Sequence, residues 1–327
     1  MNYLLSPKTF AFLGLAATNL FWAGNAVLAR FASDGVPPFT LAFSRWALAL
    51  LILLPFAAPY LKGTWPEVRR QWPVVIVLGF LGITIYNTVL YLAAHSTTAV
   101  NITLMSSNLP LITLLISWLM LNEKPRGWQL FGIMSSLLGI TVIISNGDLS
   151  QLLSLQFNIG DLLILGIAFC WSLYSVILRK YPINIHPVAL LTVLIAVGLP
   201  FTFVLFFIEL RMLPPFSISK SGSLIILYVA IFPSIFAYLF WGYGIKQLGP
   251  NIAALSCYLM PLFTALLAIP LLGESLHTYH LIGGAFVLIG LYFGTLFKRQ
   301  KLSTKTSLPV NAASPLLPKN RQADNDK

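Results

Sequence analysis

Four asparagines, Asn25, Asn87, Asn101 and Asn108, and one arginine, Arg45, fall inside stretches otherwise apolar enough to dissolve in lipid. An amide offers donors and an acceptor, a guanidinium donors only. Such groups recognise a polar ligand or tie helices together, and each is costly when buried without a partner. At about 100° per residue, Asn101 and Asn108 share one helix face, and Asn87 and Tyr91 share another with Thr84 and Thr88. Trp22 and Asn25 fall together on a third helix, Trp171 and Tyr174 on a fourth, Tyr238 and Trp241 on a fifth. Such stripes face either a neighbouring helix or a water-filled cavity, and both readings stay open. Arg45 also has two readings: it binds a substrate carboxylate, or it anchors helix-end carbonyls or an external acid such as Glu274.

Catalysis would need a nucleophile with its base, a metal cluster or paired carboxylates. The chain carries no HExxH, no Gly-x-Ser-x-Gly and no phosphate loop, and its histidines, His95, His186, His277 and His280, lie near helix ends. No catalytic residue, metal site or cofactor is expected, and without a nucleotide motif neither is a self-powered pump. The nine acidic residues all fall in loops, the tail or helix ends. Without a mid-depth carboxylate, proton coupling through such a group is disfavoured against facilitation or coupling by other means. Cys170 and Cys257 lie inside spans and define no disulfide framework.

These side chains must be positioned by membrane-crossing helices. Residues are 57% hydrophobic and 9% charged, against about 25% charged in a soluble domain. Runs of the length needed to cross hydrocarbon lie near 10 to 29, 38 to 59, 72 to 92, 98 to 120, 128 to 146, 159 to 178, 187 to 208, 222 to 243, 250 to 271 and 279 to 297. The first is read as a retained helix, not a cleaved signal. The net charge of +11 suggests a nucleic-acid partner less than a bilayer. With the N-terminus inside, Lys8, Lys62, Arg69, Arg70, Lys124, Arg126, Arg179, Lys180 and Lys246 face the cytoplasm, against Arg30, Arg211 and Lys220 outside. Both termini are expected to be cytoplasmic. The basic tail, 298–327, reads as disordered by composition.

The chain also repeats itself. Trp22, Arg30 and Pro38 recur 149 residues later as Trp171, Arg179 and Pro187. After a slip of two, Pro110, Glu123, Gly132 and Gly139 recur 151 later as Pro261, Glu274, Gly283 and Gly290. Five spans per copy make the copies inverted, as in many secondary transporters. Pro110 and Pro261 are expected to kink the fourth and ninth spans midway, freeing the carbonyls of Ser106 and Cys257 to frame a midplane site. The glycines of the fifth and tenth spans permit close helix packing and leave monomer and homodimer both open.

The segments "FWAGNAVLARF" at 21–31, "VPPFTLAFSRW" at 36–46, "NLPLITLLISWLMLNEKPRGWQLFGIMSSLLGITVI" at 108–143 and "LMPLFTALLAIPLLGESLHTYHLIGGAFVLIGL" at 259–291 resemble the EamA family of the drug/metabolite transporter superfamily. The resemblance spans roughly residues 10 to 297. It implies an all-α membrane protein of ten helices, two inverted five-helix repeats (10–146 and 159–297, joined by an external linker at 147–158) and a central cavity. The N-terminal segment 1–9 would be cytoplasmic. Many members carry Glu before the ninth-span proline, where this chain has Met260. The expected function is a carrier of small metabolites, amino acids or related compounds, in a bacterial inner membrane. A receptor or scaffold with a ligand pocket is the alternative. Substrate would meet Trp22, Asn25, Arg45, Asn87, Tyr91, Asn101, Asn108, Trp171, Tyr174, Tyr238 and Trp241, with Pro110 and Pro261 as hinges.

Overall fold

The computed structural model describes residues 6–32, 35–96, 106, 108–145, 148, 150, 159–214, 217–272 and 278–296. Among them there is no strand. The helices are α1 (Pro7–Ala32), α2 (Pro38–Leu61), α3 (Trp65–Arg70), α4 (Trp72–Ala94), α5 (Leu109–Leu121), α6 (Gly127–Ile144), α7 (Ile159–Lys180), α8 (Pro187–Met212), α9 (Lys220–Leu248), α10 (Pro250–Ser256), α11 (Leu259–Leu272) and α12 (Thr278–Leu296). Six of the described helices, α1, α2, α4, α7, α8 and α9, are long and apolar enough to cross a membrane. The expected fourth span begins in residues outside those described, and the ninth is divided into α10 and α11.

Local chemistry explains where helices start and stop. Proline opens α2, α8 and α10, where its missing N–H is no loss and its φ is already helical. Ser219 caps α9 by accepting from the Gly222 N–H at 3.1 Å. Gly249, at φ +88°, reverses the chain between α9 and α10, a conformation a side chain would strain. At the start of α2, Glu209 from the last turn of α8 accepts from the Phe39 N–H at 3.0 Å, the Thr40 N–H at 2.6 Å and the Thr40 hydroxyl at 2.7 Å. A carboxylate there meets both the orphan donors and the positive end of the helix dipole.

Polarity is distributed inside out. Thr18, Asn19, Ser172, Ser175 and Ser234 are buried, whereas Leu51, Phe56, Leu119, Met134 and Leu288 are exposed. That is the arrangement for a chain whose outer solvent is lipid. Asn19 shows the glue role: its amide donates to Ser256 Oγ at 2.9 Å, tying α1 to α10.

Helices equivalent by the repeat offset pack against each other in opposite directions. Along α2 and α8, Thr40 meets Glu209, Phe43 stacks on Phe206 with ring centres 4.7 Å apart, and Tyr60 stacks on His186 at 3.7 Å. Position rises along α2 as it falls along α8. In α6 and α12 the contacts are reciprocal: a Cβ on Gly139 would strike the Gly283 carbonyl, and one on Gly290 the Gly132 carbonyl. Ser135 Oγ donates to the Phe286 carbonyl between them at 3.0 Å. These glycine faces therefore meet within one chain.

Candidate functional site

Two small adjoining hollows share Trp22, Tyr86, Ser106 and Met260 in their walls. Leu109, Cys257 and Pro261 complete the first; Asn25, Ala26, Asn87, Leu90 and Tyr238 complete the second. Their volumes, about 20 and 10 Å³, are near what one water needs. The walls combine aromatic faces with a few amides and hydroxyls, the mixture expected of a small-molecule site.

Two irregular turns build the polar side. Both α4, at Gly79–Ile85, and α9, at Ile231–Phe236, pass through a π-helical turn, which interrupts the regular ladder and commonly marks functional positions. Inside the first, the Gly82 carbonyl accepts from Tyr238 Oη at 2.5 Å and Asn87 Nδ2 at 3.0 Å. Inside the second, the Pro233 carbonyl accepts from Trp22 Nε1 at 3.3 Å and Arg45 Nη2 at 3.1 Å. Gly82 and Pro233 stand 151 residues apart, the repeat offset. Each copy thus offers the same carbonyl, and a side chain of the other copy binds it.

Aromatic rings fill the space behind the wall. Trp22 meets Trp171 edge-on at 5.1 Å and Trp241 at 5.0 Å; Tyr174 stacks on Trp171 at 4.9 Å. Trp241 is fixed by its Nε1 bond to Ser175 Oγ at 3.1 Å. Gly82 lets Tyr174 approach, since a Cβ there would lie 2.8 Å from its ring.

Arg45 is 1% exposed. Its Nε donates to Ser234 Oγ at 2.5 Å and its Nη1 to Tyr91 Oη at 2.7 Å, and the guanidinium lies 5.0 Å from the Trp46 ring centre. The carbonyl it binds is that of Pro233, inside the π-turn of α9 and not at a helix end as expected; Glu274 lies outside the described residues.

The expected site residues divide accordingly. Trp22, Asn25, Asn87, Tyr238 and Pro261 line the hollows; Arg45, Tyr91, Trp171, Tyr174 and Trp241 stand behind them. Asn101 lies outside the described residues. Asn108 sits just before α5, its carbonyl accepting the Ile112 N–H at 3.0 Å, and is not in the walls. The expected mid-helix kinks are instead helix starts: Pro110 is the second residue of α5 and Pro261 the third of α11. A first turn tolerates proline, so in the ninth span the chain breaks after α10 and restarts as α11 instead of bending; what precedes Ser106 in the fourth span lies outside the described residues. Nor is the Cys257 carbonyl free, because the Met260 N–H donates to it at 3.0 Å.

Tyr86 and Met260 were not among the expected site residues. Tyr86 lies about 100° from Asn87 on a regular helix, outside the polar stripe, and directly follows the π-turn. Met260 had a signal in the sequence, the residue where family members often place a carboxylate. Ser106 was legible only through the proline four residues on.

Apolar helices long enough to cross a membrane, with polar side chains buried between them, define a multi-pass membrane protein. A profile of the EamA-like transporter family matches residues 9–145 and again 158–296. The chain belongs to that family and is a membrane transporter. It is 28% identical over 290 residues to an uncharacterized transporter of Archaeoglobus fulgidus, covering 88% of this chain and 97% of that one. It is similar to the uncharacterized transporter YyaM of Bacillus subtilis, at 26% identity over 86% of this chain and 92% of YyaM. It is also similar to the uncharacterized inner membrane transporter YedA of Escherichia coli, at 27% identity over 88% and 91%. A solved crystal structure with 22% identity superposes at a TM-score of 0.72, covering 89% of this chain and 98% of that one, a likeness of fold.

Proposed function

We propose that this protein is a secondary transporter that carries small metabolites, amino acids or related compounds, across a bacterial cytoplasmic membrane by alternating access. In this reading ten spans form two inverted five-helix repeats, both termini are cytoplasmic, and the hollow at Trp22, Asn25, Asn87 and Tyr238 is the substrate site in a closed conformer. A metabolite needs more room than one water, so the walls must part to admit it.

The observation that carries the reading is the antiparallel packing of repeat-equivalent helices, α2 on α8 and α6 on α12. Two like halves packed in opposite senses can exchange conformations and so present one site to either side. The family profile falls once on each half, and the inner-membrane description of YedA supports the location.

Purified protein in liposomes preloaded with unlabelled amino acids, nucleosides or small organic acids should accumulate the matching labelled compound by counterflow. Saturable uptake that depends on the preloaded compound is the expected result. Inertness across all three classes sinks the proposal.

A further inference from the structure

The hydrogen bonds that lead from Arg45 to the hollow run in one direction. A guanidinium can only donate. Arg45 Nη1 donates to Tyr91 Oη at 2.7 Å, so Tyr91 gives its own proton to Asn25 Oδ1 at 3.0 Å. With Oδ1 taken by Tyr91, the group that Asn25 keeps for a ligand in the hollow it lines is its Nδ2 donor. The other nitrogen and phenol donors of this network are engaged: Trp22 Nε1 on Pro233, Tyr238 Oη on Gly82, and Asn87 Nδ2 on Gly82 and Tyr238, which leaves Asn87 its Oδ1 acceptor beside the donor of Asn25, so that the charge of Arg45 decides the sign. Tyr86 and Ser106 contribute hydroxyls, which donate or accept and so set no sign.

Charge points the same way. Arg45 is buried, and its partners Ser234, Tyr91 and the Pro233 carbonyl are all neutral. Among the described residues the ion pair is Arg70 with Glu67, an exposed pair of α3. A buried cation facing only dipoles favours a negative charge nearby and opposes a positive one. The relay is confined to one copy: the repeat offsets place Leu194 opposite Arg45, Tyr174 opposite Asn25 and Gly242 opposite Tyr91.

We infer that the hollow selects its substrate by an anionic head group, a carboxylate or an acid of similar shape, to which Asn25 Nδ2 donates. Arg45 and Tyr91 are positioning residues: they fix the orientation of the amide and the sign of the local field. The inference rests on the transport reading and narrows its substrate class.

Three probes with a common aromatic body test it: phenylacetate, phenylacetamide and phenethylamine, titrated against the purified full-length protein. Binding is read as a rise in the unfolding midpoint. Wild type is expected to prefer phenylacetate over phenylacetamide by about tenfold, the scale of one charge-assisted hydrogen bond. Phenethylamine should bind weakest. Asn25→Asp replaces the donor with a negative acceptor and should reverse the order of phenylacetate and phenethylamine. Tyr91→Phe keeps the ring but breaks the relay, so the preference for acid over amide should collapse while phenylacetamide still binds. If Tyr91→Phe fails to fold, wild type and Asn25→Asp decide. Equal binding, or equal absence of binding, across the three probes overturns the assignment, as does an unchanged order in Asn25→Asp. Phenylacetate selection without counterflow of any class would overturn transport and leave the selection standing; counterflow by a protein blind to head-group charge would overturn the selection alone.

Discussion

Glu209 is a charged residue held almost wholly inside the bundle, 6% exposed, yet it is fully used. Its carboxylate takes two backbone N–H groups and one hydroxyl at the start of α2. In Glu209→Gln one oxygen becomes an NH2 facing donors, so a loss of about 1–3 kcal/mol is expected. A lower unfolding midpoint in detergent would record it; an unchanged midpoint would contradict the capping role. Little of this was legible beforehand, because the partners lie 169 residues apart in the chain. Arg45 was legible as a residue with a task, since a charge inside a span demands partners. Which partners it has depends on the π-turn of α9, and no residue pattern announced that turn.

At the scale of elements, close approach of helices depends on a few missing side chains. A Cβ on Gly198 would lie 2.6 Å from Ile83 and 2.8 Å from the Gly79 carbonyl, where α8 crosses the π-turn of α4. Gly198→Ala should therefore cost about 1–3 kcal/mol by overpacking and should also weaken the Thr84 hydroxyl bond to the Gly198 carbonyl. Thermal unfolding measures the cost. Helix α3 offers a pH test. The hydrogen bond from Gln71, then that from Arg70, holds the Glu67 carboxyl below its ordinary value. Gln71 also donates to the Pro182 carbonyl, so α3 is tethered to the loop before α8. With the folded value depressed, the tether is at full strength above the ordinary carboxylate range and is lost as pH falls through the lowered value. Amide exchange in α3 should accelerate there and not near neutrality. Helix positions were readable from apolar runs and from prolines at helix starts. The breaks were not: a proline in an apolar run signals a disturbed helix, but whether the chain bends or restarts is decided by neighbouring helices.

For the whole molecule, the proposed orientation predicts that cysteine at position 62 is labelled only from the cytoplasmic side and cysteine at position 220 only from outside. Lys62→Cys and Lys220→Cys, in a background lacking Cys170 and Cys257, probed in intact cells and inverted vesicles, test it. Labelling of both from one side would reject two oppositely inserted copies. The repeat was visible from a handful of residues, Trp22 with Trp171 and Pro110 with Pro261, because scaffold positions must match in both copies. The hollow was visible only in part, since residues that differ between the copies leave no internal echo.

That mismatch carries its own consequence. Two scaffolds of one design would weigh equally on a balance, but here one pan holds Arg45, Tyr91 and Asn25 while the other holds Leu194, Gly242 and Tyr174. In the proposed alternating-access cycle, the inward-open and outward-open forms of such a carrier would differ in energy. If the proposed alternating access holds, it should idle facing one compartment, and half-saturation measured from the two sides should be unequal even when no gradient drives it.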